Sequence, residues 1–326
     1  MNNRRKLVIG LSVGPLAWVS AVFGQSKMQP VVIGWLSSGS RTTSARTLVA
    51  FKEGMAALGW KEGSNYILEG SWAEGRVDRL PDLAEALAAK KPIIIVAAPV
   101  SATIAAAKAA PKTPIVQATG NSPIDVGLAK SLGRPGGMVT GVTNLSTELS
   151  AKYLEVLLAA APKLKRVGFL ARLGSTRYTD DIANARNAAE RYRVEARFAE
   201  VGQAVEIESA IARLAKEGAQ GLVVLAGFNT ERTRIVKLAL AQHWPVIAAG
   251  GAWVRSGALL SYGPDIFVLH RRAAYYVDRI LKGAKPGDLP IEQPMTFELV
   301  VNMKTAKLLG LTMPPEIMVR ATQLIE

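Results

Sequence analysis

From Val31 onward, short apolar runs alternate with amphipathic helical stretches, and this alternation restricts the chain to a layered α/β fold built on parallel sheets. VVIGWL (31–36) and PIIIVAAP (92–99) read as buried strands, the latter apolar throughout, as a strand covered on both faces must be. Helices are expected over 43–58, closed by Gly59, and over 76–90 and 101–109. Further strands are expected at 65–72 and 113–120. GRPGG (133–137) interrupts the rhythm, and Met138–Thr143 reads as a strand crossing toward a second domain.

A second set of the same units follows: strands at 166–171, 194–200, 221–227 and 245–250, with helices at 178–192, 204–217 and 231–242 between them. LLSY (259–262) reads as a strand, Gly263-Pro264-Asp265 starts a helix running to about Lys282, and FELVVN (297–302) reads as another strand. The expected fold is two doubly wound parallel-sheet lobes joined by three crossings near 143, 263 and 290. Residues 25–143 with 264–290 form the first lobe, and 144–263 with 291–326 the second. At 326 residues and 49% hydrophobic content the chain supplies two cores of ordinary size.

Ahead of the first strand, Arg4, Arg5 and Lys6 precede a short apolar stretch broken by Gly14 and Pro15, then small residues from Ala21 to Gly24. That is the layout of an export signal, placed at residues 1–24, with Sec and twin-arginine routes both open and no stable membrane insertion after cleavage. Loss of the three basic residues leaves 37 Lys and Arg against 26 acids, or +11 from the formal +14. The remaining charges are dispersed without aromatic interleaving, which reads as a solvated surface with no nucleic-acid partner. The absence of cysteine excludes disulfides, thiolate metal sites, thiol catalysis and a lipidated N-terminal Cys. A periplasmic monomer is expected.

In an open parallel sheet, ligands bind beyond the carboxyl ends of the strands. In the first lobe that rule selects Ser38, Ser40 and Thr42, then Pro99 and Ser101, then Thr119 and Asn121. Helix capping is the competing account of Thr42, Ser101 and Ser122. On the opposing rim it selects Arg172, suited to a carboxylate or phosphate, with Phe228, Trp253 and Tyr262 as an aromatic wall. For Trp253 the competing account is core packing. The two histidines, His243 and His270, have no nucleophile or orienting acid at usable spacing and read as surface residues. No G-x-G-x-x-G or G-K-[ST] occurs, and no catalytic residue, metal or cofactor is expected.

AFKEGMAALGW (50–60) with the following KEGSNYILEGSWAEGRVDRLPDLAEAL, then TPIVQATGNSPIDVGLAKSLGRPGGMVTGVTNL (113–145), SYGPD (261–265) and the closing run from Arg271 carry a family resemblance. In these segments the chain resembles the periplasmic substrate-binding proteins of a family of ABC transporters. The resemblance implies a type I periplasmic-binding fold that closes on a small ligand, an amino acid or related small carboxylate, and hands it to an ABC permease and its ATPase. Some members bind aromatic amino acids such as tryptophan. Two positions depart from the family pattern: Met138 stands where Asn is usual after GRPGG, and Asn121-Ser122-Pro123 stands where an Asp-Pro pair is usual. The second departure removes one partner for a ligand ammonium. A ligand-sensing module for a membrane receptor would use the same fold, whereas an exported hydrolase would need an acid–base pair that the sequence does not offer.

Overall fold

The computed structural model describes residues 29–144, 149–175 and 178–326, so the expected export signal lies outside the described residues. The first lobe is built from β1 (Val31–Ser37), α1 (Ala45–Ala57), β2 (Tyr66–Trp72), α2 (Leu80–Ala89), β3 (Ile94–Ala98), α3 (Val100–Ala109), β4 (Ile115–Gln117) and β5 (Val139–Gly141). Its five strands are all parallel, in the order β2-β1-β3-β4-β5. The expected crossing strand at 138–143 is therefore an edge strand of this sheet first, and the chain leaves only after Gly141.

The second lobe contains α4 (Leu149–Ala160), β6 (Arg166–Arg172), α5 (Tyr178–Tyr192), β7 (Glu195–Val201), α6 (Ile207–Lys216), β8 (Leu222–Val224), α7 (Arg232–Ala241), β9 (Val246–Ala248), α8 (Gly251–Arg255) and β10 (Leu260–Pro264). After α9 (Ile266–Leu281) come β11 (Phe297–Asn302), α10 (Met303–Leu308), α11 (Pro315–Arg320) and β12 (Gln323–Ile325). The sheet order is β12-β11-β10-β9-β8-β6-β7. Its first five strands in chain order repeat the 2-1-3-4-5 arrangement of the first sheet. The exception to parallel pairing is β10 against β11, which are antiparallel. β11 re-enters this sheet from the first lobe, after α9 and the return crossing at Glu292.

Each sheet is covered on both faces, as its apolar strands require. In the first lobe one core gathers Trp35, Phe51, Met55 and Tyr276, and the other Leu36, Leu80, Leu87 and Ile95. The helix α9 follows β10 in the chain yet belongs to the first of these cores and lies against α1. The two helices approach so closely that a Cβ on Gly54 would stand 2.8 Å from Ala274 Cβ. Trp60 Nε1 donates to Asp278 Oδ1 at 2.9 Å, and Arg271 pairs with Glu53 at 2.9 Å. The helix starts two residues after Pro264, and Asp265 between them caps it by accepting from the Phe267 and Val268 amides at 2.7 and 3.3 Å.

His270 corrects the sequence expectation of a surface residue. It is 3% exposed, packed beside Trp35, with Nδ1 donating to the Ile266 carbonyl at 2.6 Å. Burial pushes it down to about 4 against the small upward pull of that hydrogen bond. The unfolded chain therefore binds more protons between about pH 6.5 and 4. The stability contributed by neutral His270 is complete above 6.5 and is lost as pH falls through that window. His243 is exposed, following α7.

Among the described residues, three segments join the lobes. The outgoing strand beyond β5 and the returning strand at Glu292 run parallel, with Thr143 N donating to Glu292 O at 2.9 Å and Glu292 N to Gly141 O at 2.9 Å. Arg272 holds the Glu292 carboxylate through two hydrogen bonds of 2.7 and 2.6 Å, keeping that carboxyl below its ordinary range. The third segment is the step from Pro264 to Asp265.

Candidate ligand-binding site

Strand order reverses at the gap between β1 and β3 in the first sheet and between β6 and β8 in the second, and the loops leaving these strands open a crevice in each lobe. The two crevices face one another. The loop after β2 meets the loop after β8, where a Cβ on Gly75 would stand 3.0 Å from Thr230 Cγ2.

On the first lobe, Ser38 N donates to the Ala98 carbonyl at 3.1 Å, which fixes the end of β1 beside the end of β3. The half-buried hydroxyls of Ser38 and Ser101 make no hydrogen bond among the described residues. Ser101 sits in the first turn of α3, whose cap position is Pro99, so it is not a helix cap. Pro99, also half-buried, stands at the end of β3 directly before α3. Ser40 and Thr42 are occupied with one another, Oγ to Oγ1 at 2.9 Å, and Ser40 Oγ also accepts from Thr43 N at 3.0 Å. Thr119 Oγ1 donates to Asn144 Oδ1 at 2.8 Å, tying the end of β4 to the outgoing crossing. Asn121 lies beside the same crossing, its carbonyl accepting from Gln117 Nε2 at 3.0 Å while that amide also reaches the Val142 carbonyl at 3.1 Å. Ser38, Pro99 and Ser101 thus converge on the switch point, whereas Thr119 and Asn121 border the hinge and Thr42 faces solvent.

On the second lobe, Arg172 is held in place by its own surroundings. Its Nε donates to the Gly227 carbonyl at 3.1 Å, its Nη2 to Glu231 Oε1 at 2.9 Å, and its guanidinium lies 4.3 Å over the Phe228 ring. Glu231 also accepts from Thr230 Oγ1 at 2.8 Å. Phe228 and Trp253 lie at 1% and 2% exposure inside the core with Trp244 and Ile235, and Trp253 Nε1 donates to Asn229 Oδ1 at 3.1 Å. They pack the lobe instead of forming an open wall, because the short α8 folds Trp253 back under the sheet. Tyr262 is the expected aromatic residue that stays half-buried, stacked on Phe297 with centroids 5.6 Å apart. Phe297, Thr230 and Glu231 were missed by the sequence reading. Glu231 was within reach of it, since it stands two residues after Asn229 at the start of an expected helix.

Among the described residues no three His, Cys, Asp or Glu side chains cluster as a metal site, and no helix is long and apolar enough to cross a membrane. The arrangement offers hydroxyls, a held guanidinium and aromatic faces from two sides of one cleft, which suits reversible binding of a small polar molecule.

The model of the ABC transporter substrate binding protein family matches residues 39–325. A tyrosine-binding protein of Clostridioides difficile (strain R20291) is 26% identical over 263 residues, spanning 80% of this chain and 75% of that protein. Among solved structures, the ABC domain of Streptococcus pneumoniae in complex with L-Trp superposes with a TM-score of 0.83 at 24% identity, covering 91% of this chain and all of that one. A conserved domain protein from Vibrio cholerae gives a TM-score of 0.84 at 23% identity over the same shares. With the two-lobed fold, the facing crevices and a match over most of its length, the chain belongs to the ABC transporter substrate-binding protein family.

Proposed function

We propose that this protein is the periplasmic solute-binding component of an ABC importer, which takes an amino acid or related small carboxylate into the cleft and delivers it to the permease. The observation that carries this reading is the pair of facing switch points, with the unpartnered Ser38 and Ser101 hydroxyls on one lobe and Arg172, Glu231 and Tyr262 on the other. No bond is made or broken. The ligand stabilises the closed arrangement by touching both rims, and closure is what the permease reads. Bending at the three crossings supplies the motion, and the Thr119–Asn144 hydrogen bond couples the first rim to one of them. The tyrosine-binding relative supports an aromatic amino acid as the cargo.

A thermal-unfolding screen of the purified protein with amino acids, aromatic acids, sugars and polyamines tests the ligand class. A true ligand at a thousand times its Kd adds about 4 kcal/mol to the folded state and raises the midpoint accordingly. An aromatic amino acid or carboxylate is expected to do so. A shift with sugars or polyamines and none with any carboxylate would overturn the assignment.

A further inference from the structure

The Arg172–Glu231 pair has more hydrogen-bonding capacity than its own neighbours use. Arg172 commits Nε to the Gly227 carbonyl and one N–H of Nη2 to Glu231 Oε1, while Nη1 donates to nothing among the described residues. On Glu231 each oxygen has accepted once, Oε1 from Arg172 and Oε2 from Thr230 Oγ1, and each keeps a lone pair. The guanidinium rests one face on the ring of Phe228, which lies inside the core, so its other face is turned outward.

A chain of contacts fixes what stands beside the pair. Thr230, bonded to Glu231, lies against Gly75 of the first lobe, and Gly75 N donates to the Ser38 carbonyl at 2.8 Å. The pair therefore borders the place where the two lobes meet, next to the first-lobe switch point. Its side chains are 16% and 17% exposed, and no other ion pair between described residues withdraws both partners so far from water. Apolar side chains of similar volume commonly match or exceed the stability of such a pair, so stability does not account for charges in this position.

Taken as a unit, the pair carries no net charge. A plain carboxylate arriving there is drawn by Arg172 and repelled by Glu231, and for a plain amine the signs are reversed. A molecule with an ammonium and a carboxylate on one carbon offers each member of the pair its opposite charge and leaves no ion unmatched.

We propose that Arg172 and Glu231 receive the two charged ends of an α-amino acid, carboxylate on Arg172 and ammonium on Glu231, so that the cleft selects the zwitterion over acids and amines with the same side chain. This inference rests on the aromatic amino-acid cargo proposed above and names the groups that distinguish it from other small carboxylates.

Calorimetric titration of the wild-type protein, Arg172→Gln and Glu231→Gln tests it with L-tyrosine and L-tryptophan, their desamino acids 3-(4-hydroxyphenyl)propionate and indole-3-propionate, and the amines tyramine and tryptamine. Wild type is expected to bind at least one amino acid about tenfold to a hundredfold more tightly than either of its analogues, the range for losing a charged hydrogen bond. Glu231→Gln should erase the preference over the desamino acid, and Arg172→Gln the preference over the amine. A loosened loop would weaken all three ligand types alike, so the ratios separate recognition from support. Unchanged ratios in both variants, or a uniform loss across the three types, would overturn the assignment while leaving amino-acid binding intact. A desamino acid bound by wild type as tightly as its amino acid would also overturn it and leave the carboxylate reading standing. Silence of wild type toward both amino acids would overturn the aromatic cargo, and this inference with it.

Discussion

Trp253→Ala should unfold at a midpoint lower by on the order of 10 °C, whether or not a ligand is present. The indole is 2% exposed and packs among Phe228, Ile235, Trp244 and Val246, so its removal opens a cavity in a finished core. Truncation of a buried tryptophan costs about 3–5 kcal/mol, from lost transfer energy and from the void that neighbours cannot fill. The variant also releases Asn229, whose side chain the indole N–H holds at 3.1 Å in the loop after β8. Affinity should then fall as a consequence of a loosened rim. A normal midpoint with lost affinity, read by differential scanning calorimetry beside titration, would return Trp253 to the ligand wall.

Gly141→Ala should be destabilising by at least about 3 kcal/mol, while Gly133→Ala, a few residues away, should stay within about 0.5 kcal/mol of wild type. Gly141 has a φ of +122°, and a Cβ there would fall 2.2 Å from the Gln117 carbonyl oxygen and 2.8 Å from its amide nitrogen. Relief requires β5 to move off β4, which breaks the bond from Val142 N to the Gln117 carbonyl at 2.9 Å and disturbs the crossing beside Glu292. Gly133 has nothing within 4 Å of its Cβ position and no positive φ. Urea denaturation of both variants separates the two cases. Equal stabilities would mean that β5 tolerates displacement and that the outgoing crossing is not fixed by this contact.

The alternation that defines the fold was legible because buried parallel strands leave unbroken apolar runs, as in β1 and β3, and amphipathic helices leave a period near 3.6. The direction of β11 was not legible. FELVVN pairs as well either way, and its antiparallel course appears only once the chain is seen to re-enter the sheet after α9. The three-residue β12 and five-residue α8 are below the length at which periodicity carries a signal. That limit has a consequence at the site: without α8 in view, Trp253 reads equally as wall or core.

The loops at the first-lobe switch point followed from strand order alone, since the rule needs only the positions where strands end. His270 escaped notice for the opposite reason. Its neighbours Arg271 and Arg272 are charged, and only the return of α9 to the first lobe buries it beside Trp35.

Closure around a ligand is the central claim, and the distance between the lobes measures it most directly. The chain contains no cysteine, so thiols introduced by Asp82→Cys on α2 and Lys237→Cys on α7, both exposed positions, can be spin-labelled without background. Pulsed dipolar spectroscopy without ligand and with saturating L-tyrosine, or with the strongest ligand of the thermal screen, then reports the separation. The account predicts a broad distribution that narrows and shifts to shorter distance when ligand binds. An unchanged distribution, recorded while calorimetry shows the site occupied, would contradict it.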